Sequence, residues 1–340
     1  TKLVLPYTGT NLFLNNKSYY SAPTIGQFKQ NGCTTMIKDF FKVQRFIPGL
    51  SKFYFKLLFS NKAKLKQQTF EELLSQPDAR ISQWLRSMIM LGYSTHFQDT
   101  KIFPALLAKR LYKDYLLLPI WWVIPGGVYS YMDRILSLNR NKINLHCNAN
   151  ISSIERKNNT ILIIFNDGQQ LEVDKVIFAT PPDQVLSLLK EPSIAEQANF
   201  SKWQGRNFTT IAHTDKSLYN SYSTAHPTIC DYFEKNNGDF FYNTYMNDYY
   251  QISKPINCQF SYNAAEYISE DQIIHTENHW VPIYDNESLA TQDAIRQLSG
   301  QMNTYYAGAY LYDGLHEGAI VSACAIQQKI MNCKVSNGQL

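Results

Sequence analysis

The sequence predicts a mixed α/β fold (α+β), in which an antiparallel sheet and a helical insertion are joined to a smaller set of strands and helices. Three observations predict it. Residues 34 to 115 place apolar side chains three and four positions apart, as amphipathic helices do. Residues 143 to 179 and 207 to 280 contain successive short apolar or aromatic runs, which are typical of strands. Residues 305 to 330 combine an apolar run, three glycines and a helical pattern.

Composition and charge limit the classes of function. The chain has 340 residues, 44% of them hydrophobic, which is enough for one large or two ordinary domains with a substantial core. Its net charge of +4 is small and it carries no zinc-finger or RNA-binding motif, so nucleic acid is not an expected partner. The longest apolar run, Tyr115 to Ile124, is about half the length of a membrane helix and contains a proline, so no spanning segment is predicted.

The six cysteines indicate neither a metal site nor a disulfide framework, because they are scattered without a CxxC pair or a histidine-rich cluster. This usage fits a reducing compartment best, and we expect a cytoplasmic protein. The sequence starts without an initiator Met and without a signal-peptide pattern. We therefore expect it to be the interior of a longer polypeptide.

The N-terminal third is predicted to contain strands and then helices. Residues 1 to 35 have short alternating apolar runs broken by Gly, Asn and Pro, which predict two or three strands. Between Thr34 and Tyr115 we expect four to six helices. One of them starts at "TFEELL", where Thr69 is the N-cap and Glu72 completes a capping box.

The segment Met36 to Gln67 is strongly basic. It has eight Lys or Arg residues against one acid, Asp39, and they are interleaved with Phe and Tyr. Two interpretations stay open: a solvated helix face above an apolar underside, or a surface that contacts an anionic membrane.

The rest of the chain alternates between strand and helix signals. Pro125, Gly126 and Gly127 directly precede a helical pattern, and residues 207 to 280 predict the antiparallel sheet of a second domain. A polar helix is expected from Leu289 to Leu298. Further strands are predicted at Ile143–Cys147, Ile161–Phe165, Lys175–Ala179 and Met302–Tyr306, with a hairpin turn at Asp167-Gly168 and a Pro-Pro turn after Ala179.

Glycines surround two titratable residues before a helix that we expect to begin at about Ala319. Gly308 permits close backbone approach, and Gly314 and Gly318 bracket the pair "HE" at positions 316 and 317. Glycine before a helix N-terminus lets backbone NH groups and the positive end of the helix dipole meet an anion or an electron-rich ring edge. Tight packing of a strand, a loop and a helix explains the same pattern, and both interpretations stay open.

Three motifs resemble those of the flavin-containing amine oxidase superfamily, which includes protoporphyrinogen oxidases and phytoene desaturase-like enzymes. They are "PGGVYSYMDRI", "HCNANISSIERKNNTILIIFNDGQQLEVDKVIFATPP" and "NTYYAGAYLYDGLHEGAIVSACAIQQKI", in that order, and together they cover residues 120 to 330. Within the superfamily, "AHTDKSLYN", "TYMNDYY" and "HWVPIYD" are most similar to uncharacterised bacterial NAD/FAD-binding proteins found near cyclopropane fatty acid synthases.

The resemblance implies FAD as cofactor and gives roles to matching positions. Ile151 corresponds to the residue whose backbone meets the adenine, and residues 179 to 181 to a strand-end turn near the dinucleotide. Gly308 and Asp313 correspond to positions along the phosphates and ribityl chain, and residues 318 to 320 to a helix start facing the flavin pyrimidine edge. The full set of implied cofactor-binding residues is Ile151, Ala179, Thr180, Pro181, Gly308, Asp313, Gly314, Gly318, Ala319 and Ile320.

The sequence departs from the family in two respects. The N-terminal GxGxxG and its βαβ unit are absent, so the chain is either a fragment or has an incomplete flavin site. Amine oxidases also have an active-site Lys in the strand that resembles "RNFTTIAHTD", where this chain has none between Lys202 and Lys216, and an aromatic residue where Leu315 stands. The resemblance therefore disfavours an amine substrate.

Other candidate residues follow from chemistry alone. His316 beside Glu317 is a candidate proton carrier next to a flavin. A substrate pocket is predicted from His213, Tyr245, Asn247, Trp280 and Leu315. The predicted division of the chain is 1–120 for substrate-domain strands and the helical insertion, 121–190 and 301–331 for cofactor segments, 191–300 for the substrate sheet, and 332–340 for a tail.

Two hypotheses of different classes follow. The first is an FAD-dependent oxidoreductase, or a fragment of one, that removes hydride from an apolar or lipid-like substrate. The second is a flavin-free, non-catalytic module that binds a partner or an anionic membrane surface through Met36 to Gln67. A third option is that a missing N-terminal segment of the same polypeptide associates with this chain and completes the flavin site.

Overall fold

A full-atom computed structural model gives the fold. It describes residues 2–4, 10–15, 17–21, 32–34, 37–38, 40–41, 44–74, 79–117, 121–157, 160–220, 227–250, 252 and 255–337.

Fourteen strands and twelve α-helices have described bounds, and further helical residues lie between positions 32 and 44. The strands are β1 Lys2–Val4, β2 Thr10–Leu14, β3 Lys17–Ser21, β4 Trp121–Val123, β5 Ile151–Lys157, β6 Thr160–Phe165, β7 Gln170–Val173, β8 Val176–Phe178, β9 Gly205–His213, β10 Cys230–Glu234, β11 Phe240–Tyr245, β12 Gln259–Tyr262, β13 Ile273–Pro282 and β14 Thr304–Tyr306. The helices are α1 Ile47–Phe59, α2 Lys62–Leu65, α3 Phe70–Leu74, α4 Ala79–Tyr93, α5 Ala105–Leu117, α6 Val128–Leu138, α7 Val185–Leu188, α8 Ile194–Phe200, α9 Met246–Tyr250, α10 Asn286–Ala290, α11 Gln292–Leu298 and α12 His316–Asn337.

The largest sheet has seven strands in the order β13-β9-β12-β11-β10-β2-β3. Its five strands β9 to β13 pair antiparallel with one another, as predicted for residues 207 to 280. The N-terminal strands β2 and β3 extend the sheet, and β2 runs parallel to β10. Two of the N-terminal strands predicted from residues 1 to 35 therefore belong to the same sheet as β10, which is more than 190 residues away, whereas β1 pairs with β4 in a separate sheet.

The helical insertion packs against one face of this sheet. Five helices, α1 to α5, lie between residues 47 and 117, within the predicted number. Met90 of α4 packs with Phe240 and Tyr242 of β11. The capping box is confirmed: the Thr69 NH donates to Glu72 at 2.8 Å, and the Glu72 NH donates to the Thr69 hydroxyl at 3.3 Å. None of the helices in the described part of the chain is long and apolar enough to cross a lipid bilayer.

The smaller sheets belong to the segments expected to bind a cofactor. Strands β5, β6 and β7 form an antiparallel meander, and the predicted turn at Asp167-Gly168 is confirmed, with Gly168 at a φ of 84°. The strand predicted at Ile143–Cys147 is wrong, because residues 141 to 150 are exposed turns and irregular backbone and the strand begins at Ile151. Alternating apolar residues form a strand only where a neighbouring strand takes up their backbone hydrogen bonds.

Two helix boundaries also differ from the prediction. The helix expected from Leu289 to Leu298 is two helices, α10 and α11. The first of them starts three residues earlier than expected, because Asp285 forms a capping box with Ser288. Helix α12 begins at His316, three residues before the expected Ala319. Both errors are at helix N-termini, where local capping decides the first residue.

Candidate functional site

The candidate site lies at the carboxyl ends of two parallel strands. Strands β8 and β14 pair in parallel, with Val176 opposite Thr304 and Phe178 opposite Tyr306. The Ala307 NH extends this ladder by donating to the Phe178 carbonyl at 2.8 Å. The turn after β8 and the glycine loop after β14 therefore leave the sheet at the same edge. In open α/β sheets, ligands bind at this edge.

Three buried polar atoms of the segments that follow β8 and β14 have no hydrogen-bond partner among the described residues. They are the Thr180 hydroxyl oxygen and Asp183 Oδ1, which follow β8, and the Tyr310 hydroxyl, which follows β14. Burial raises the pKa of Tyr310 well above its usual value, so this hydroxyl stays protonated. A buried polar atom without a partner costs free energy, so a polar partner is expected at each of these three atoms.

The glycines of the closing loop make close contacts within the chain. A Cβ at Gly308 would lie 2.6 Å from the Tyr310 ring, and a Cβ at Gly318 would lie 2.2 Å from Asp313 Oδ1. The Gly308 NH donates to the hydroxyl of Ser322 at 2.9 Å, which ties the loop to α12. Of the two interpretations of these glycines, tight packing is directly visible in the fold.

Gly314 combines a positive φ with close contacts to two buried tyrosine rings. Its φ is +78°, and a Cβ there would lie 2.9 Å from the Tyr93 ring and 3.0 Å from the Tyr284 ring. We expect Gly314→Ala to lower the free energy of unfolding by about 2–4 kcal/mol, from backbone strain and overpacking together. Urea unfolding measures the effect, and Gly168→Ala, which has a similar φ but open space around it, isolates the backbone part. Equal losses in the two variants would contradict the packing argument.

The N-terminus of α12 keeps part of its binding capacity. The Leu315 NH donates to Asp313 Oδ1 at 2.9 Å, and the Ala319 NH donates to the Leu315 carbonyl at 3.3 Å. In the described residues no acceptor is found for the NH groups of residues 316 to 318. Ile320 is half-exposed on the helix surface. The open NH groups of the predicted helix start are therefore those of residues 316 to 318, and that of Ala319 is already used.

His316 connects two of the motifs. Its Nε2 lies 2.9 Å from the hydroxyl of Tyr131, and the two rings meet edge to face. Tyr131 belongs to α6, the helix that follows the Pro-Gly-Gly motif. Glu317 is exposed. His316 therefore positions α6 against the closing helix.

The predicted substrate-pocket residues are spread over the sheet. His213 is fully buried, with Nε2 2.8 Å from the Ser261 hydroxyl, and burial lowers its pKa. Asn247 holds a loop, because its amide donates to the Ile256 carbonyl at 2.7 Å and accepts from the Cys258 NH at 2.8 Å. The amide of Asn247 is satisfied within the protein, whereas His213 Nδ1 is buried without a hydrogen-bond partner among the described residues.

The remaining three candidates lie elsewhere. Tyr245 is half-buried at the end of β11, and burial raises its pKa. Leu315 packs against the main core. Trp280 is paired with Asn207 in the β13–β9 ladder, whereas His213 is six residues further along β9, roughly 20 Å away. The structure therefore does not bring Trp280 and His213 into one pocket.

Trp280 instead joins the large sheet to the candidate cofactor edge. Its indole NH donates to Asp183 Oδ2 at 2.7 Å. A Cβ at Gly205 would lie 2.0 Å from the same indole nitrogen, so only glycine leaves room for this contact. Asp183 and Gly205 were not predicted, because no spacing pattern links residues from three separate segments.

Ile151 and the loop before it lie on the meander. Ile151 opens β5 opposite Phe165 of β6 and packs partly against the main core. Residues 145 to 150 border an open cavity of about 790 Å³ with residues 165 to 171. The fold thus leaves space beside the start of β5, where Ile151 lies.

Solved structures with the same fold cover most of the chain. Cyclohexylamine oxidase from Brevibacterium oxydans IH-35A has a TM-score of 0.62 at 12% identity, over 97% of this chain and 82% of that one. A CLA-producing fatty acid isomerase from P. acnes has a TM-score of 0.60 at 14% identity, over 96% and 79%. Wild-type putrescine oxidase bound to putrescine has a TM-score of 0.59 at 10% identity, over 97% and 82%. The predicted fold class is thereby confirmed.

Sequence comparison identifies the family. No functionally curated protein matches the sequence. The family model for flavin containing amine oxidoreductases matches residues 3–243, more than two thirds of the chain. The resemblance that the three motifs indicated is therefore confirmed, and the chain belongs to the flavin-containing amine oxidoreductase family.

Proposed function

We propose that this chain supplies the substrate domain and part of the cofactor domain of an FAD-dependent oxidoreductase that removes hydride from an apolar or lipid-like substrate. Membership of the family implies a flavin cofactor. The observation that carries the proposal is the parallel pair β8–β14, because the two segments that leave its carboxyl ends contain three buried polar atoms without partners, in Thr180, Asp183 and Tyr310.

The polar groups present fit the hydrogen-bonding groups of such a cofactor. Thr180 and Tyr310 offer hydroxyl groups, and Asp183 offers a carboxylate oxygen, all without partners in the described residues. The first NH groups of α12, at residues 316 to 318, and the positive end of the helix dipole would stabilise a negative charge at the N-terminus of this helix. When bound, the flavin supplies the hydride acceptor. The chain's own residues orient it and exclude water.

Exposed apolar faces support the proposal that a further unit completes this site. None of the residues of α6 is buried, and its apolar residues Val128, Met132 and Ile135 are each about half exposed. Among the residues of α12 up to position 332, whose burial is described, only Gly318, Ser322 and Ile326 are buried. A helix that is apolar on several sides normally packs on several sides.

A nearly apolar cavity adds to this surface. It has a volume of about 270 Å³ and lies between Ile177 of β8 and residues Ile326, Ile330 and Met331 of α12. About a fifth of each compared structure has no counterpart in this chain. We propose that a GxGxxG-bearing strand–helix–strand unit, the N-terminal segment of the same polypeptide, covers these faces.

The proposed substrate class rests on the residue types in strand β9. This strand, Gly205–His213, has no lysine, whereas the resemblance places an active-site Lys there in amine oxidases. A fatty acid isomerase shares the fold as fully as the amine oxidases do. The aromatic residues of the large sheet do not decide the question, because they are core: Phe208 and Tyr262, for example, stack at 3.7 Å.

Flavin binding is tested with Thr180→Val in the polypeptide expressed from its complete open reading frame. Because the hydroxyl has no partner, we expect unchanged or slightly higher stability without FAD, but FAD affinity weaker by several-fold to about tenfold. Flavin absorption of the purified protein and thermal stabilisation by added FAD measure the effect. The control is Thr276→Val, an exposed threonine of β13. A colourless protein that FAD does not stabilise would overturn the proposal.

Substrate class is tested by anaerobic bleaching of the flavin absorption. We expect an unsaturated fatty acid or a comparable apolar compound to reduce the flavin, and primary amines such as putrescine and cyclohexylamine to leave it oxidised. Bleaching by amines alone would overturn the substrate part of the proposal and leave the flavin part standing.

One observation favours the membrane hypothesis as a second candidate. Helix α1 buries Phe53 and Leu57 on one face, while Phe55 and Phe59 on another are 66% and 74% exposed, with ring centroids 4.5 Å apart. Exposed aromatic rings beside lysines are typical of helices that lie in the interface of an anionic bilayer. We propose that α1 is the part of Met36 to Gln67 that makes such a contact.

Vesicle sedimentation tests this contact. Binding to vesicles rich in phosphatidylserine is expected to fall strongly in the double variant Phe55→Ser/Phe59→Ser and in the triple variant that neutralises Lys62, Lys64 and Lys66. The control Ile194→Ser removes an apolar side chain that is 88% exposed on α8, outside this segment. Equal binding by the wild type and both variants would exclude α1 as the contact.

A further inference from the structure

A cavity of about 350 Å³ separates the helical insertion from the segment that leads into the closing loop. Helices α2 and α5 form one wall, and helices α10 and α11 with Tyr312 form the other. The residues of these walls belong to three regions of the chain, 62–66, 106–110 and 286–312. The first and the last region are more than 150 residues apart in sequence. The cavity is separate from the edge of β8 and β14, and none of the atoms assigned above to the flavin lines it.

Three exposed cations line this cavity. Lys62 and Lys66 lie one helical turn apart, and Arg110 follows on α5. Among the side chains that the structure describes, no carboxylate lies within ion-pair distance of any of the three. Three like charges around one space repel each other, and an anion between them would relieve this repulsion.

The fourth cation of the lining is held in place by the protein. Arg296 pairs with Asp293 and donates to the carbonyl of Leu311, and its guanidinium lies 4.8 Å from the centre of the Tyr312 ring. Asp293 balances the charge of Arg296, so the lining as a whole keeps a charge of about +3. The Arg296 side chain forms a fixed wall beside the three unpaired cations.

The cavity also has the polar and apolar features of a binding site. One side-chain atom of Asn286, placed as the amide oxygen, is buried there without a hydrogen-bond partner. Rotating the amide by half a turn presents an NH₂ donor instead. Leu107 and Leu289, both buried, form an apolar floor beneath the cations.

We propose that this cavity binds a phosphate group carried on a short apolar body. A phosphate monoester carries about two negative charges and several acceptor oxygens, which match Lys62, Lys66 and Arg110 better than a single carboxylate does. The apolar floor suits the carbon chain next to the phosphate. The ligand is either a phospholipid head group with its glycerol or a free phosphate ester, and the site is independent of the flavin proposal.

Inorganic phosphate and glycerol 3-phosphate are the soluble probes, and vesicles containing phosphatidic acid are the membrane probe. Calorimetric titration of the full chain at constant ionic strength is expected to show saturable binding of one phosphate per chain. Lys66→Gln and Arg110→Gln are each expected to weaken it by about tenfold or more. Lys64→Gln is the matched control, because Lys64 belongs to the same helix and is exposed outside the cavity.

The outcomes separate the sources. Tight binding of glycerol 3-phosphate that depends on Lys66 and Arg110 identifies a free phosphate ester, and the same dependence seen only with phosphatidic acid vesicles identifies a lipid. Either result supports the site. Equal losses in Lys64→Gln and Lys66→Gln would overturn it, because the anion would then bind the basic surface as a whole. No saturable binding of any probe by the wild type would overturn it as well.

Discussion

Replacing Glu196 by alanine is expected to lower the free energy of unfolding by about 3–5 kcal/mol, because it leaves a buried guanidinium without its counter-charge. Arg156 of β5 contacts both carboxylate oxygens of Glu196, at 2.7 and 3.0 Å, and the two side chains are only 10% and 3% exposed. The Tyr306 hydroxyl of β14 donates to the same carboxylate. One side chain therefore joins the meander, helix α8 and the parallel pair.

Urea unfolding of Glu196→Ala measures this effect. Glu287→Ala is the matched control, since it removes a carboxylate that pairs with Lys202 at 3.0 Å while both side chains are largely exposed. Such surface pairs contribute about 0–1 kcal/mol. If the two variants lose similar stability, the buried cluster contributes no more than a surface pair, and its role in holding β14 would have to be abandoned.

The same cluster predicts a pH dependence. Burial alone would raise the pKa of Glu196, but hydrogen bonds from Arg156, Tyr306 and Ser193 outweigh burial and lower the pKa to about 2. A depressed carboxylate pKa stabilises the fold fully above the unfolded value, near pH 4.5, and this contribution is lost as the pH falls towards 2. Glu196→Gln is expected to remove that part of the acid sensitivity, which unfolding at several pH values measures.

Local patterns in the sequence predicted those parts of the fold that local hydrogen bonds determine. The capping box at Thr69 and Glu72 and the turn at Asp167-Gly168 depend only on residues a few positions apart. A second capping box, Ser193 with Glu196, has the same signature and was open to the same argument. The additional partners of Glu196 were not, because Arg156 and Tyr306 lie 40 and 110 residues away.

Spacing predicted the candidate site only in part. The turn after β8 and the loop after β14 are identifiable from their prolines and glycines, but the hydrogen-bond ladder that makes them neighbours is a long-range contact. The distance between His213 and Trp280 has the same origin, since Trp280 of β13 pairs with Asn207 near the start of β9, whereas His213 ends β9. Sequence patterns give a strand's residues, whereas its register is set by the partner strand.

A row of buried polar side chains crosses the large sheet and includes the carboxylate of Asp231. Asp231 of β10 is fully buried and accepts hydrogen bonds from Asn11, Tyr219 and Thr228. Asn243 continues the row on β11 and donates to the Tyr219 hydroxyl at 2.7 Å. These bonds fix the position of β2 beside β10 and tie the loop before β10 to the sheet.

Asp231→Ala is expected to lower the free energy of unfolding by about 3–5 kcal/mol, because several buried donors lose their acceptor together. Thr228→Val, which removes one donor and keeps the others paired, is expected to cost about 1–2 kcal/mol. Denaturant unfolding at neutral pH compares the two variants. A loss in Asp231→Ala no larger than that in Thr228→Val would show that the row is not a cooperative network.

The pH dependence of Asp231 runs opposite to that of Glu196. Burial raises the pKa of Asp231 to about 6, although the hydrogen bonds from Thr228, Tyr219 and Asn11 lower it in part. The folded protein therefore holds a proton that the unfolded chain releases near pH 4, and the stability from this group falls as the pH rises from about 4 to about 6. Asp231→Asn cannot titrate, so its free energy of unfolding should change less than that of the wild type across this range. If the two proteins show the same pH dependence there, Asp231 is ionised in the fold throughout, and its hydrogen bonds outweigh the cost of burying its charge.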